Sequence, residues 1–197
     1  MVKKHSIIIL SIISLILLMV IGVNIRASEE GILFDEKIME YVHNRTTPIG
    51  IKIMKKISFF GSAKFFLSFG LIIFLLMFWK KNLKGMALVV LSTLGSYGIN
   101  FLLKNIFIRT RPLKYFLIEQ GGYSFPSGHA MVSMSFYATM TYLIMKNKDE
   151  NKKILWILSF LIIALIGFSR IYLGVHWPTD ILIGYLLGYV FFRIIVK

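Results

Sequence analysis

Six apolar runs, separated by short polar or charged stretches, set the rhythm of the chain. They are Ser6 to Val23, Ser58 to Trp79, Gly85 to Leu103, His129 to Met145, Ile154 to Phe168 and Ile181 to Ile195. At about 1.5 Å of rise per residue, roughly 20 helical residues cross a hydrocarbon core about 30 Å thick. Several runs fall short of that and need their polar ends to continue as helix. The pattern predicts an all-α fold: a six-span transmembrane helix bundle in which residues 1–197 form one membrane-embedded domain. The first run has a rival reading as a secretory signal. Its length favours an uncleaved span, because the apolar part of a signal is about 7–15 residues.

One stretch breaks the rhythm. Ser28 to Ile57 is mixed in character, with Ile32, Leu33, Phe34, Ile38, Tyr41 and Val42 recurring at helical spacing. Thr46, Thr47 and Pro48 read as a helix start. Beyond them Ile49, Ile51, Ile53, Met54 and Ile57 interleave with Lys52, Lys55 and Lys56. This predicts one or two surface helices after the first span; a solvated connector fits the same residues equally well.

Composition changes the picture in two ways. The chain is 57% hydrophobic with a mean hydropathy of +0.75, which makes the lipid bilayer its surroundings. Charged residues are only 16%, yet the net charge is +14. Such an excess often marks a nucleic-acid binder, but beside these apolar runs anionic lipid is the partner expected and nucleic acid is not. The absence of cysteine excludes a disulfide, a thiol nucleophile and a thiolate metal site.

The lysines orient the bundle. A cytoplasmic start puts Lys3, Lys4, Lys80, Lys81, Lys84, Lys146, Lys148, Lys152, Lys153, Arg193 and Lys197 inside, which is 11 of the 23 basic residues. The remainder call for another reason to be outside. Lys104, Arg109, Arg111, Lys114 and Arg170 share a reason, because they fall in or beside the stretches that carry chemistry. The expected localisation is a multi-pass protein of the cell membrane with its site on the extracytoplasmic face.

Three stretches carry that chemistry. In Ser169 to Asp180, His176 and Asp180 stand four apart with Pro178 between them at a helix start. A carboxylate one turn from a histidine can hold one ring nitrogen and leave the other free to attack. Arg170 adds a planar, permanent charge suited to phosphate. In Lys104 to Pro112, Lys104 and Arg111 are seven apart, a spacing that two helical turns would align on one face before Pro112 ends the helix. In Pro126-Ser127-Gly128-His129, Ser127 is a suitable N-cap, Gly128 permits close backbone approach, and the new helix offers free N–H groups to an anion. His129 then stands at the mouth of the site. Zinc held by His129, His176 and Asp180 is the rival reading, but three nearby cations suit an anion better than a metal ion.

Together these residues resemble the type-2 phosphatidic acid phosphatase superfamily, which also includes the vanadium haloperoxidases. Its three-part pattern, Lys-x6-Arg-Pro, Pro-Ser-Gly-His and Ser-Arg-x5-His-x3-Asp, is complete and in order from Lys104 to Asp180. The resemblance implies a lipid phosphatase that needs no metal and no cofactor. It implies that His176 is the nucleophile, forming a phosphohistidine, with Asp180 as its orienting partner. His129 would protonate the leaving oxygen and then activate water, while Lys104, Arg111, Ser127, Gly128 and Arg170 hold the phosphate. Many bacterial members carry a basic residue after the Arg-Pro pair. Here Leu113 stands there, followed by Lys114.

The expected activity is removal of phosphate from a lipid phosphate or diphosphate at the outer face. Undecaprenyl diphosphate is narrowly ahead of phosphatidylglycerol phosphate and phosphatidic acid. A haloperoxidase-like or soluble phosphoester activity fits the membrane architecture less well. A non-catalytic anion-binding or transport protein would need the cations but not the His–Asp pair.

Overall fold

The computed structural model describes residues 31–146 and 152–197, together with Ile9, Ile13, residues 16–20 and residues 22–23. From Leu33 onward, seven helices follow one another among the described residues: α1 (Leu33–His43), α2 (Pro48–Phe59), α3 (Ala63–Trp79), α4 (Leu83–Phe107), α5 (Gly128–Met145), α6 (Lys152–Tyr172) and α7 (Pro178–Ile195). Among the described residues there is no strand, so the expected all-α class holds.

The helix starts are written locally. Thr47 accepts from the Gly50 amide, Ser62 from Phe65, Asn82 from Gly85 and Ser127 from Ala130, each meeting an amide that the first turn leaves unpaired. Pro48 and Pro178 open α2 and α7, where no amide hydrogen is needed.

The expected six spans are matched in part among the described residues. Four described stretches are long and apolar enough to cross a membrane: Pro48–Trp79, Leu83–Phe107, Lys153–Tyr172 and Pro178–Ile195. Half of the first expected span, nine of the 18 residues from Ser6 to Val23, lies outside the described residues. The fourth is present as α5, 18 residues long, but its composition alone does not qualify it. The reason is its place. α5 is the hub of the bundle, packed against α4, α6 and α7. Ser133, Ser135, Thr139 and Thr141 on it are all buried. A helix jacketed by protein needs no lipid-compatible surface. Its two threonine hydroxyls turn back on its own backbone, with Thr139 donating to the Ser135 carbonyl (2.7 Å) and Thr141 to that of Tyr137 (2.9 Å). By contrast, the outward faces of α3, α4 and α6 expose Leu71, Leu75, Phe101, Ile157 and Leu161. Gly184 and Gly188 seat α7 directly on α5: a side chain at either would strike the Ser127 or Met131 carbonyl oxygen.

The stretch expected on the surface forms two helices, α1 and α2. Only a short turn at residues 60–62 separates α2 from α3, so the two run almost continuously from Pro48 to Trp79.

Candidate active site

Two helix ends bring the third motif into place. α6 stops at Tyr172 because Gly174 takes a left-handed conformation (φ +73°), where a Cβ would run into the Tyr115 carbonyl oxygen. The Val175 amide bonds back to the Arg170 carbonyl (3.1 Å) and the Gly174 amide to that of Ile171 (2.9 Å), the paired bonds of a Schellman ending. α7 begins at Pro178. His176 is therefore held between two helix ends, and Asp180 lies in the first turn of the second.

Asp180 is fully buried and saturated. Its Oδ2 lies 3.2 Å from His176 Nδ1, accepts the Trp177 amide at 2.9 Å, and accepts the Ser124 hydroxyl. Its Oδ1 accepts from Arg109 at 2.6 Å. With Nδ1 turned to this carboxylate, His176 Nε2 faces the opposite way, 3.2 Å from an Arg111 guanidinium nitrogen. Burial is the largest influence on His176, and the Arg111, Lys104 and Arg170 charges reinforce it. The imidazole is held well below its ordinary value and is neutral near pH 7. Burial lowers Arg111 to about 10, which leaves it cationic at that pH.

The helical alignment expected for Lys104 and Arg111 is not what forms. α4 ends at Phe107, and Ile108 adopts φ +45°, a conformation costly for a β-branched residue. The reversal sends Arg109 into the interior, and Arg111 reaches the site from an extended segment. Arg111 donates to the carbonyls of Gly122 (2.9 Å) and Val175 (2.5 Å). Lys104 donates to those of Tyr123 and Ser124. Both cations are thus bound to dipoles, and among the described residues no carboxylate is within ion-pair reach of either.

A cavity of about 500 Å³ opens in front of His176. Its lining is mixed: Lys104, Arg111, Gly128, His129, His176 and Asn100 on the one hand, Phe66, Leu67, Leu94, Tyr97, Phe101 and Val132 on the other. Five of the eight residues singled out in the sequence meet there. Asp180 stands behind His176. Ser127 is buried beneath as the N-cap of α5. Arg170 is not on the wall: it is 2% exposed and donates to the Ser58 hydroxyl (2.6 Å) and the Gln120 side-chain oxygen (2.7 Å). Its Nε is buried without a partner.

Sequence reasoning missed four participants. Asn100 lines the cavity one turn before Lys104 and donates to the Pro126 carbonyl (3.0 Å); a buried amide in an apolar run was its signal. Ser124 touches both Asp180 and His176. Gln120 joins Arg170 to the cavity wall. Arg109 had been grouped only by proximity.

The sequence pattern of the PAP2 superfamily matches residues 85–197. This chain belongs to the PAP2 superfamily. Within it, phosphatidylglycerophosphatase B of Bacillus subtilis is 34% identical over 149 residues, 73% of this chain and 72% of that one. Undecaprenyl-diphosphatase of Sulfolobus acidocaldarius is 32% identical over 120 residues, 58% of this chain and 55% of that one. The crystal structure of the transmembrane PAP2-type phosphatidylglycerolphosphate phosphatase from Bacillus subtilis superposes with a TM-score of 0.81 at 28% identity, covering 92% of this chain and 93% of that one. The PAP2 match reaches from the third residue of α4 to the last residue of the chain, so α1 to α3 lie outside it.

Proposed function

We propose that this PAP2 protein is a metal-independent lipid phosphatase that works through a phosphohistidine. The observation that carries the reading is the mixed lining of the cavity. An imidazole with a buried carboxylate behind it and cations in front shares the wall with apolar side chains. The headgroup phosphate takes the Lys104 and Arg111 donors now held by backbone carbonyls, and the tail lies along Phe66, Leu67 and Phe101. Arg170 acts from behind the wall through its charge, and the Gly128 and His129 amides at the start of α5 serve the anion, the Ser127 amide being bonded to the Asp180 carbonyl.

As Arg111 turns to the phosphate, His176 Nε2 is free to attack phosphorus. The N–P bond forms and the bond from phosphorus to the leaving oxygen breaks. His129 gives that oxygen its proton. The phosphorylated ring is cationic, and Asp180 balances it. His129 then takes a proton from water, which attacks phosphorus, breaks the N–P bond and releases inorganic phosphate. Preorganised cations around the phosphoryl oxygens supply most of the acceleration.

For the substrate we take undecaprenyl diphosphate, on an outward-facing site. The short lysine-rich turns argue for that orientation, and a diphosphate carrier released on that face meets the site without crossing the bilayer. Phosphatidylglycerol phosphate is the second reading, favoured by the broad coverage of the Bacillus relative and structure that bear its name. The test is kcat/KM for both lipids in one mixed micelle. A preference of more than about tenfold for phosphatidylglycerol phosphate, roughly 1.4 kcal/mol in the transition state, reverses the order.

A further inference from the structure

Behind His176 lies a cluster that the three motifs do not contain. Asp35, in the first turn of α1, is 0% exposed. Its Oδ2 accepts Arg109 Nη2 at 2.6 Å and the Thr179 hydroxyl at 2.8 Å, and its Oδ1 accepts the Thr179 amide at 2.9 Å. The other arm of Arg109 donates to Asp180 Oδ1 at 2.6 Å and to the Thr179 hydroxyl at 2.8 Å. One buried guanidinium is thus shared by two buried carboxylates, the second of which touches His176.

We propose that Asp35 and Arg109 are positioning residues for the His176–Asp180 pair. Through Thr179 and the shared guanidinium they fix where Asp180 sits and how much of its charge His176 feels. The inference rests on the reading of His176 as the attacking group. Its physical content is charge balance. A guanidinium at 2.6 Å competes directly with an imidazole at 3.2 Å for one carboxylate. Were Arg109 paired to Asp180 alone, the pair would be neutral and would offer little to a ring that becomes cationic on phosphorylation. Asp35 occupies the other arm, so the chain Asp35–Arg109–Asp180 keeps one net negative charge against that ring.

Packing alone does not account for the cluster. α1 is already docked by Met39, buried against Tyr115 and Trp177. A buried ion network seldom stabilises a fold more than apolar side chains of the same volume would. Asp35 also bonds the amide of the residue next to Asp180, so it holds the backbone of the turn as well as the charge. The proposal gives a role to a helix that lies outside the PAP2 match.

The experiment is steady-state and single-turnover kinetics on the purified full chain with Asp35→Asn, which keeps the shape and removes the charge. The kcat is expected to fall about ten- to a hundredfold, the usual range for residues supporting a functional group from behind. Phosphohistidine formation should slow by the same factor. KM and inhibition by inorganic phosphate should not move, because neither residue lines the cavity. The double variant Asp35→Asn/Arg109→Met removes both charges and should recover most of the lost kcat. A purely structural role predicts lower thermal stability with unchanged kcat per folded molecule; that result overturns the proposal, as does a rise in KM that accounts for the loss, or a double variant no better than the single one. If Asp35→Asn does not fold, Arg109→Lys, which keeps a cation but reaches only one carboxylate, decides by the same split. Absence of phosphohistidine in the unaltered protein refutes the reading of His176 instead, and the split between kcat and KM still decides the positioning claim.

Discussion

Arg109 and Arg111 are two residues apart and end on opposite sides of one imidazole. Arg111 looks into the cavity, where backbone carbonyls hold it and, among the described residues, no carboxylate pairs with it. Arg109 looks into the protein and bridges two carboxylates. The front of His176 is therefore a field of uncompensated positive charge and the back a closed ion network. A site built to receive an anion must leave its cations unpaired where the anion goes. A site built to support an imidazolium must keep its carboxylate where neither solvent nor substrate can reach it. The left-handed residue at Ile108 is what lets one short segment serve both sides.

The largest effect expected lies on the ring that divides the two sides. His176→Ala should abolish lipid phosphate release, with a loss of about 10⁶ by comparison with single knock-outs of other covalent catalysts, and no phosphohistidine should be trapped. Full activity would end the proposed mechanism. Next comes the back: Asp180→Asn should cost about 10⁴, the value of an orienting carboxylate elsewhere. It should do so in kcat, because Asp180 stands behind the ring and off the cavity wall. A loss confined to KM would mean that front and back are not distinct.

The front should behave differently. Lys104→Ala and Arg111→Ala should each lower kcat/KM by about 10²–10³, as removal of one preorganised donor does, and should also change its pH dependence. The lowered pKa of His176 places the acid limb of kcat/KM below 6.5. In the proposed mechanism the ring must be unprotonated to attack, so activity falls as pH drops through that limb. Removing a cation lets the pKa rise and moves the limb up, towards the ordinary imidazole value; a limb that stays put would show that these cations do not act on His176. Stability runs in the same sense. The unfolded chain takes up this proton near 6.5 and the folded chain resists it, so this group's contribution is present above about 6.5 and lost as pH falls below it.

The front was far easier to read from sequence than the back. Lys104, Arg111, His129 and His176 sit at fixed spacings within motifs, because a phosphate imposes one geometry on whatever holds it. The caps at Thr47 and Ser127 were legible for the same local reason. Arg109 was in view but had no visible partner, since Asp35 lies 74 residues earlier and joins it only through tertiary packing. The Lys104–Arg111 alignment failed because helical arithmetic assumed a continuous helix, and nothing local to Ile108 announces a left-handed turn. At α5 hydropathy alone does not mark a span, because it measures suitability for lipid and α5 is packed among other helices.

The smallest effect expected is none. Excess chelator should leave kcat and KM unchanged, while orthovanadate should inhibit by binding the cations of the cavity. The rival zinc site would use His129, His176 and Asp180. Asp180 has no oxygen to give it: Oδ1 is taken by Arg109, and Oδ2 by His176, Trp177 and Ser124. On the cavity side His176 Nε2 meets the Arg111 guanidinium, where a dication would be repelled. Among the described residues no three His, Asp or Glu side chains converge as a metal site. Binding zinc would thus require breaking the back network and expelling Arg111 from the front. Activity lost in chelator and restored by zinc or magnesium alone would show that this rearrangement occurs, and the front would then have to be read as a metal site.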